Sequence, residues 1–218
     1  MKKNRATTSE KALEDFLRAS DLKFEKLKEE QGHSTPDYKV QVSERELLFE
    51  VKEIAEDRNF EVDTDGRGFS SSRCIGHHIR QRIGAAAKQL KYGTEVLGLP
   101  SVLLLYNMLD HSFGTDDLDF VAAMSGALTF DIDIRTGIAV GESYGGKGHV
   151  LREDVKTYFS ALGRLRPNAH DPETMIVTLF ENVNAKLKIP YETLPSCFEV
   201  IKGSDFDKVR AKFPFPSR

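Results

Sequence analysis

Cysteine is nearly missing: Cys74 and Cys197 are the only two in 218 residues. Two distant thiols exclude a disulfide framework and a cysteine-built zinc site. No run of about 18 apolar residues occurs, which excludes a membrane-spanning helix. The opening Met1 to Glu10 stretch lacks an apolar core, so no secretory leader is expected, and a soluble cytoplasmic protein is. Internal repeats and low-complexity tracts are also missing. One absence is local. From Gly66 to Thr94 there is no Asp or Glu, yet Arg67, Arg73, Arg80, Arg82, Lys88 and Lys91 all fall there. The chain as a whole carries a net charge of −3, which argues against a general nucleic-acid binder. A basic patch on an acidic body instead suits a local phosphate-binding surface.

What is present suffices for a core: 39% of residues are hydrophobic. One domain is expected, with a loose tail at 1–6, a core over 7–107 and an extension over 108–218 packed on it. Thr7-Thr-Ser-Glu10 opens a helix that buries Leu13, Phe16 and Leu17 and ends near Ser20. A short strand follows within 22–27. Tyr38–Val42 and Leu47–Ile54 read as strands, and the short link between them makes an antiparallel hairpin. Residues 55–72 read as a loop, and Cys74–Tyr92 as one long helix. Leu99–Tyr106 reads as a buried strand. Beyond it, the pattern predicts a helix over 116–124, a strand over 128–134, a Gly-rich loop over 141–149, a helix over 152–162, and strands over 174–180 and 198–201. This order predicts an α/β fold with a mixed central sheet flanked by helices.

Chemistry concentrates on the hairpin. On a strand, Glu50 and Lys52 share a face with Leu48 and Ile54. A carboxylate and an ammonium in so apolar a run are costly to bury without partners. Asp37, directly after Pro36, begins the neighbouring strand, and the hairpin can bring it beside Glu50. Paired carboxylates repel, and a divalent cation relieves that repulsion. Magnesium takes few protein ligands and keeps several waters. Asp37, Glu50 and the Val51 carbonyl make such a minimal set. Lys52 can then hold an attacking water or steady charge growing on a phosphate. The bland alternative is a Glu50–Lys52 ion pair on a half-exposed strand with Pro-Asp as a turn.

The string Pro36-Asp37, twelve residues, Glu50-Val51-Lys52 resembles the motif of the PD-(D/E)xK phosphodiesterase superfamily, the restriction-endonuclease-like nucleases. Residues 7 to 107 follow that superfamily's order of helix, three strands, helix and strand. The resemblance implies a magnesium-dependent nuclease, with manganese able to substitute. Its usual substrate is DNA; RNA stays open. Asp37 and Glu50 would be metal ligands and Lys52 the catalytic lysine. A helix-1 glutamate often joins the metal, directly or through water, and Glu10 and Glu14 are the candidates.

Glu10 has a second reading. Thr7-x-x-Glu10 is a capping box, in which the glutamate bonds back to the helix start. Measured from Leu13, Glu10 lies about 60° away and Glu14 about 100° away, so Glu10 is nearer the sheet. On the helix over 74–92, Arg73, His77, Arg80, Gly84, Lys88 and Lys91 align on one face, opposite in character to the stripe of Ile79, Ile83, Ala86 and Leu90. That face could bind nucleic-acid phosphates without reading sequence, or be an ordinary solvated surface. Gln89 is a further candidate for the site, by the same resemblance.

Other motifs are weaker. His77-His78 lacks further ligands at usable spacing. Asp63-x-Asp65-Gly66 lacks the closing glutamate of a calcium loop. Asp131 and Asp133 are expected exposed on one strand face. Gly141 to Gly148 nearly matches a P-loop, but Gly148 stands where a hydroxyl must meet magnesium. Two other functions therefore compete with the nuclease: an inactive nucleic-acid-binding module of the same fold, and a nucleotide-binding protein. Residues 108–218 otherwise resist functional reading and are open to substrate contacts or a homodimer contact.

Overall fold

The computed structural model describes residues 6–28, 33–55, 75–108, 115–145 and 153–212. Thr7 caps helix α1 (Thr8–Ala19), whose buried face is Leu13, Phe16 and Leu17, as the spacing predicts. Strand β1 (Phe24–Lys26) pairs antiparallel with β2 (Tyr38–Val42), and β2 with β3 (Arg45–Ile54). The hairpin turn is tighter than the sequence suggests. Ser43 takes the left-handed conformation at φ 54°, and β3 begins two residues before Leu47.

The long helix expected over 74–92 is two helices, α2 (His77–Ala85) and α3 (Ala87–Glu95), broken at Ala86. Gly84, a poor helix former, sits just before the break. Strand β4 (Ser101–Asn107) then lies parallel to β3. Asp116 caps α4 (Asp117–Ser125), which is buried almost all round.

The C-terminal part departs more from expectation. Strands β5 (Ala127–Ile132) and β6 (Ala139–Gly145) form a separate two-stranded ribbon, so most of the predicted Gly-rich loop is strand. Asp133 lies in the ribbon's turn, where its carboxylate accepts from the Arg135 N–H at 2.8 Å; Asp131 is exposed. No helix covers 153–162. That stretch is irregular, with Lys156 at φ 54°, and runs into β7 (Ala161–Pro167). Strands β8 (Met175–Glu181) and β9 (Phe198–Ile201) and helix α5 (Phe206–Ala211) complete the described chain.

The main sheet has seven strands in the order β1-β2-β3-β4-β7-β8-β9. Strands β3, β4 and β7 are mutually parallel; β7–β8 is antiparallel and β8–β9 parallel. The extension therefore continues the core's own sheet. Helix α1 covers one face, packing Phe16 and Leu17 over Phe49, Val51, Val102 and Leu104. Helices α2 to α5 cover the other, with Ile79, Ile83, Leu90 and Phe120 over Ile54, Leu103, Leu105 and Leu162. The fold is thus the expected mixed α/β sheet with helices on both sides. Among the described residues, no helix is long and apolar enough to cross a membrane.

Candidate active site

In the β2–β3 register Tyr38 faces Phe49, so Asp37 enters opposite Glu50. Val51 lies past the end of β2. Its N–H finds an acceptor in the Asp37 carboxylate, Oδ2, at 2.9 Å. This ties the Pro36-Asp37 corner to the central strand.

Strand alternation sends Glu50 and Lys52 to the α2–α3 side. Glu50 is 1% exposed, and its Oε1 meets Lys52 Nζ at 2.5 Å. Its other oxygen, Oε2, is buried with no hydrogen-bond partner. Burial, and then the Asp37 charge, push Glu50 up to about 7, against the pull of Lys52. Burial also raises Asp37, although the Val51 N–H and Lys52 oppose it. Two carboxyls that resist ionisation side by side, one with an orphaned oxygen, fit a divalent cation held by oxygen ligands. An unpartnered buried acceptor otherwise costs about 1–3 kcal/mol.

A second orphan comes from α3. Gly93 lies so close to the sheet that a Cβ there would stand 2.7 Å from Leu48 Cδ1 and from Ser101 Oγ, and 3.3 Å from Pro36 Cγ. A short turn leads from α3 into β4, so the helix runs against β3 and β4. One helical turn back from Gly93 is about 6 Å, and two residues along β3 from Leu48 is about 6.6 Å. Gln89 thus comes level with Glu50, and Gln89 Oε1 is likewise buried without a partner.

Helix α1 supplies something different. Glu10 completes the capping box: its Oε2 accepts from Thr7 N at 2.7 Å, and Thr7 Oγ1 accepts from Glu10 N at 3.2 Å. Its Oε1 pairs with Lys26 Nζ at 2.6 Å. Burial pushes Glu10 up, but Lys26 and Thr7 outweigh it and hold the carboxyl below its ordinary range. Glu10 still acts on the site through space, raising Asp37. Glu14 is committed elsewhere, accepting from Tyr38 Oη at 2.9 Å and pairing with Arg18 at 2.5 Å. Among the described residues, no three acidic, histidine or cysteine side chains form a metal-holding group. A third carboxylate from α1 is therefore not in direct reach. Sequence reading missed Glu53, whose Oε1 accepts from Ser9 N at 2.9 Å and locks the start of α1 onto β3. Its place beside Lys52 on the same strand was the available signal.

The cationic helix face is only partly free. Arg80 turns inward and donates to the Ala122 and Ile75 carbonyls at 3.2 and 3.1 Å, so it is structural and not a phosphate contact. His77 Nε2 lies 3.0 Å from Gln81 Nε2. Lys88 and Lys91 are exposed, Lys91 with Glu95 at 3.7 Å. His78 is buried, which removes it from a surface histidine pair. Arg67, Arg73, Cys74 and the Asp63–Gly66 turn lie outside the described residues. So does the end of the P-loop-like segment; its Gly141–Gly145 start is strand β6, paired along its length with β5. Among the described residues, Gly141–Gly145 is thus strand and not a phosphate-cradling loop.

No family model, curated protein or solved structure matches the chain. What the site can do follows from its own atoms.

Proposed function

We propose that this protein is a metal-dependent nuclease of the PD-(D/E)xK type, cutting phosphodiester bonds in DNA in the cytoplasm. The observation that carries the reading is the buried, unpartnered Glu50 Oε2, flanked by Asp37 and by Lys52.

Asp37, Glu50 and the Val51 carbonyl would hold magnesium, for which manganese can stand in. When bound, the ion supplies a Lewis acid for the phosphoryl oxygens and lowers the pKa of nearby water. The chain's own groups do the rest. The Val51 N–H fixes Asp37. Lys52 orients Glu50 and, at 28% side-chain exposure, is the member of the pair that reaches solvent. Its ammonium can orient the attacking water and offset charge growing on the phosphorus oxygens. Gln89 adds a polar group on the helix side, while Lys88 and Lys91 offer backbone contacts on α3 that read no sequence. Glu10 is a cap that tunes Asp37 from a distance.

The 2.5 Å Glu50–Lys52 contact also supports a rival, a nucleic-acid-binding module in which that pair is only structural. Incubation with circular, linear, branched and single-stranded substrates, in magnesium, manganese or chelator, separates the two. Cleavage that needs metal and is lost in Glu50→Gln supports the nuclease. Binding without cleavage by the wild type supports the module.

A further inference from the structure

At the carboxyl ends of β4 and β7 lies a cavity of about 420 Å³, lined by Asn107, Thr115, Asp116, Asp117, Arg164 and Arg166 among others. Its position relative to the candidate site follows from strand register. Lys52 pairs with Leu105, and Leu105 with Arg164. Laterally paired residues point to the same face, so Lys52 and Arg164 stand on one side of the sheet, two strand spacings or roughly 10 Å apart. Arg166, two residues on, continues the row outward on the same face.

The two arginines are unusual for their surroundings. Arg164 is 12% exposed and lies across the Phe180 ring, 5.9 Å from its centroid. Its NH1 donates to the Thr115 carbonyl at 2.9 Å. Asp117 Oδ1 pairs with its NH2 at 2.8 Å. Arg164 Nε and Arg166 Nε are both buried without partners. Among the described residues, Arg166 makes one loose ion pair, with Glu199 at 3.8 Å. Burial pulls Arg164 below its ordinary range despite Asp117. The opposing charges are Asp117, Asp116 and Glu199, and Asp116 also accepts from the Asp119 N–H at the head of α4. Two guanidinium groups with unspent donors, imperfectly compensated, are suited to a phosphate, which offers several acceptor oxygens to a fork of N–H groups.

We propose that this cavity is a second phosphate subsite, in which Arg164 and Arg166 hold the backbone of the same polynucleotide strand whose scissile bond lies at Lys52. The assignment rests on the nuclease reading for the identity of the strand. A separation of roughly 10 Å is short enough for nearby phosphates of one strand to engage both points along the sheet edge.

The test uses the full-length protein in chelator, where nothing is cut, with a short fluorescein-labelled single-stranded oligonucleotide titrated over a salt series. Arg166→Gln, at a half-buried position, is expected to weaken binding several-fold and to flatten the salt dependence by about 0.7 in slope, one phosphate contact on a single strand. Asp117→Asn is expected to tighten binding, because it removes the competing charge. An abasic oligomer should compete as well as an ordinary one. Unchanged affinity and slope in Arg166→Gln overturn the subsite, as does a wild type that binds no oligonucleotide. Should Arg166→Gln fail to fold, Asp117→Asn decides: equal or weaker binding overturns the proposal. Cleavage in magnesium is scored separately. A wild type that binds through Arg166 but cuts nothing contradicts the nuclease reading and leaves the subsite standing. A wild type that cuts while Arg166→Gln binds normally does the reverse.

Discussion

Asp37 and Val51 are joined by a 2.9 Å hydrogen bond from main-chain N–H to carboxylate, so the first acid of the site is fastened to the strand that carries the second. Glu50 precedes that amide and Lys52 follows it. The backbone positions that carry the three charged groups stay together as long as the hairpin stays closed.

This arrangement makes stability depend on pH. Glu50 titrates at about 7 in the fold against an ordinary 4.5. A raised acid pKa carries no penalty below the unfolded value and a growing one as pH rises towards the folded value. In chelator the protein should therefore lose stability between about pH 4.5 and 7, by at most about 3 kcal/mol from this group. Glu50→Gln should show a flatter profile and be the more stable form at pH 8. Denaturant melts of both proteins across pH check this.

A cation should reverse the penalty. Manganese at ten times its dissociation constant is expected to stabilise the wild type by about 1.4 kcal/mol. The shift in melting temperature should vanish in Asp37→Asn and in Glu50→Gln. Scanning calorimetry with and without the ion reads it directly.

Lys52→Gln separates chemistry from affinity. Cleavage should fall by about 100-fold or more, the usual loss when one donor to a developing charge is removed. Oligonucleotide binding in chelator should change little, since Lys88 and Lys91 remain. Single-turnover kinetics beside a binding titration give both numbers.

Glu10→Ala should behave as a lost cap. The expected loss is about 1 kcal/mol of stability, with cleavage kept within a few-fold. A collapse of cleavage with stability intact would place Glu10 in the chemistry.

Gly93→Ala tests the seating of α3. The added Cβ would stand 2.7 Å from Leu48 Cδ1 and Ser101 Oγ, so these buried side chains or the helix must shift. Destabilisation of about 1–3 kcal/mol is expected, read from denaturant melts beside the wild type.

Much of the first half was legible because its periodicities are clean. Tyr38–Val42 buries every second residue, and β3 carries a charged pair in an apolar run that no surface strand needs. The second half hid its elements. Strand β7 reads Ala-Leu-Gly-Arg-Leu-Arg-Pro, with small residues where the sheet is tight: a Cβ on Gly163 would meet Leu104 Cδ2 at 2.2 Å. The sequence shows the glycine but not the neighbour that requires it. The acid-free window reads as one cationic face, yet Arg80 donates to the Ala122 and Ile75 carbonyls. Charge counts do not reveal which cations the packing has already used. Arg164 was missed for a related reason. Its partner Asp117 sits 47 positions earlier, and only the β4–β7 register aligns it with Lys52.

The most direct test is a crystal of the wild-type protein soaked in manganese and measured for anomalous scattering. A single strong peak is expected at coordinating distance from Glu50 Oε2 and the Asp37 carboxylate, with Lys52 beside it. A map with no peak there, and Glu50 still closed on Lys52 alone, would contradict that expectation.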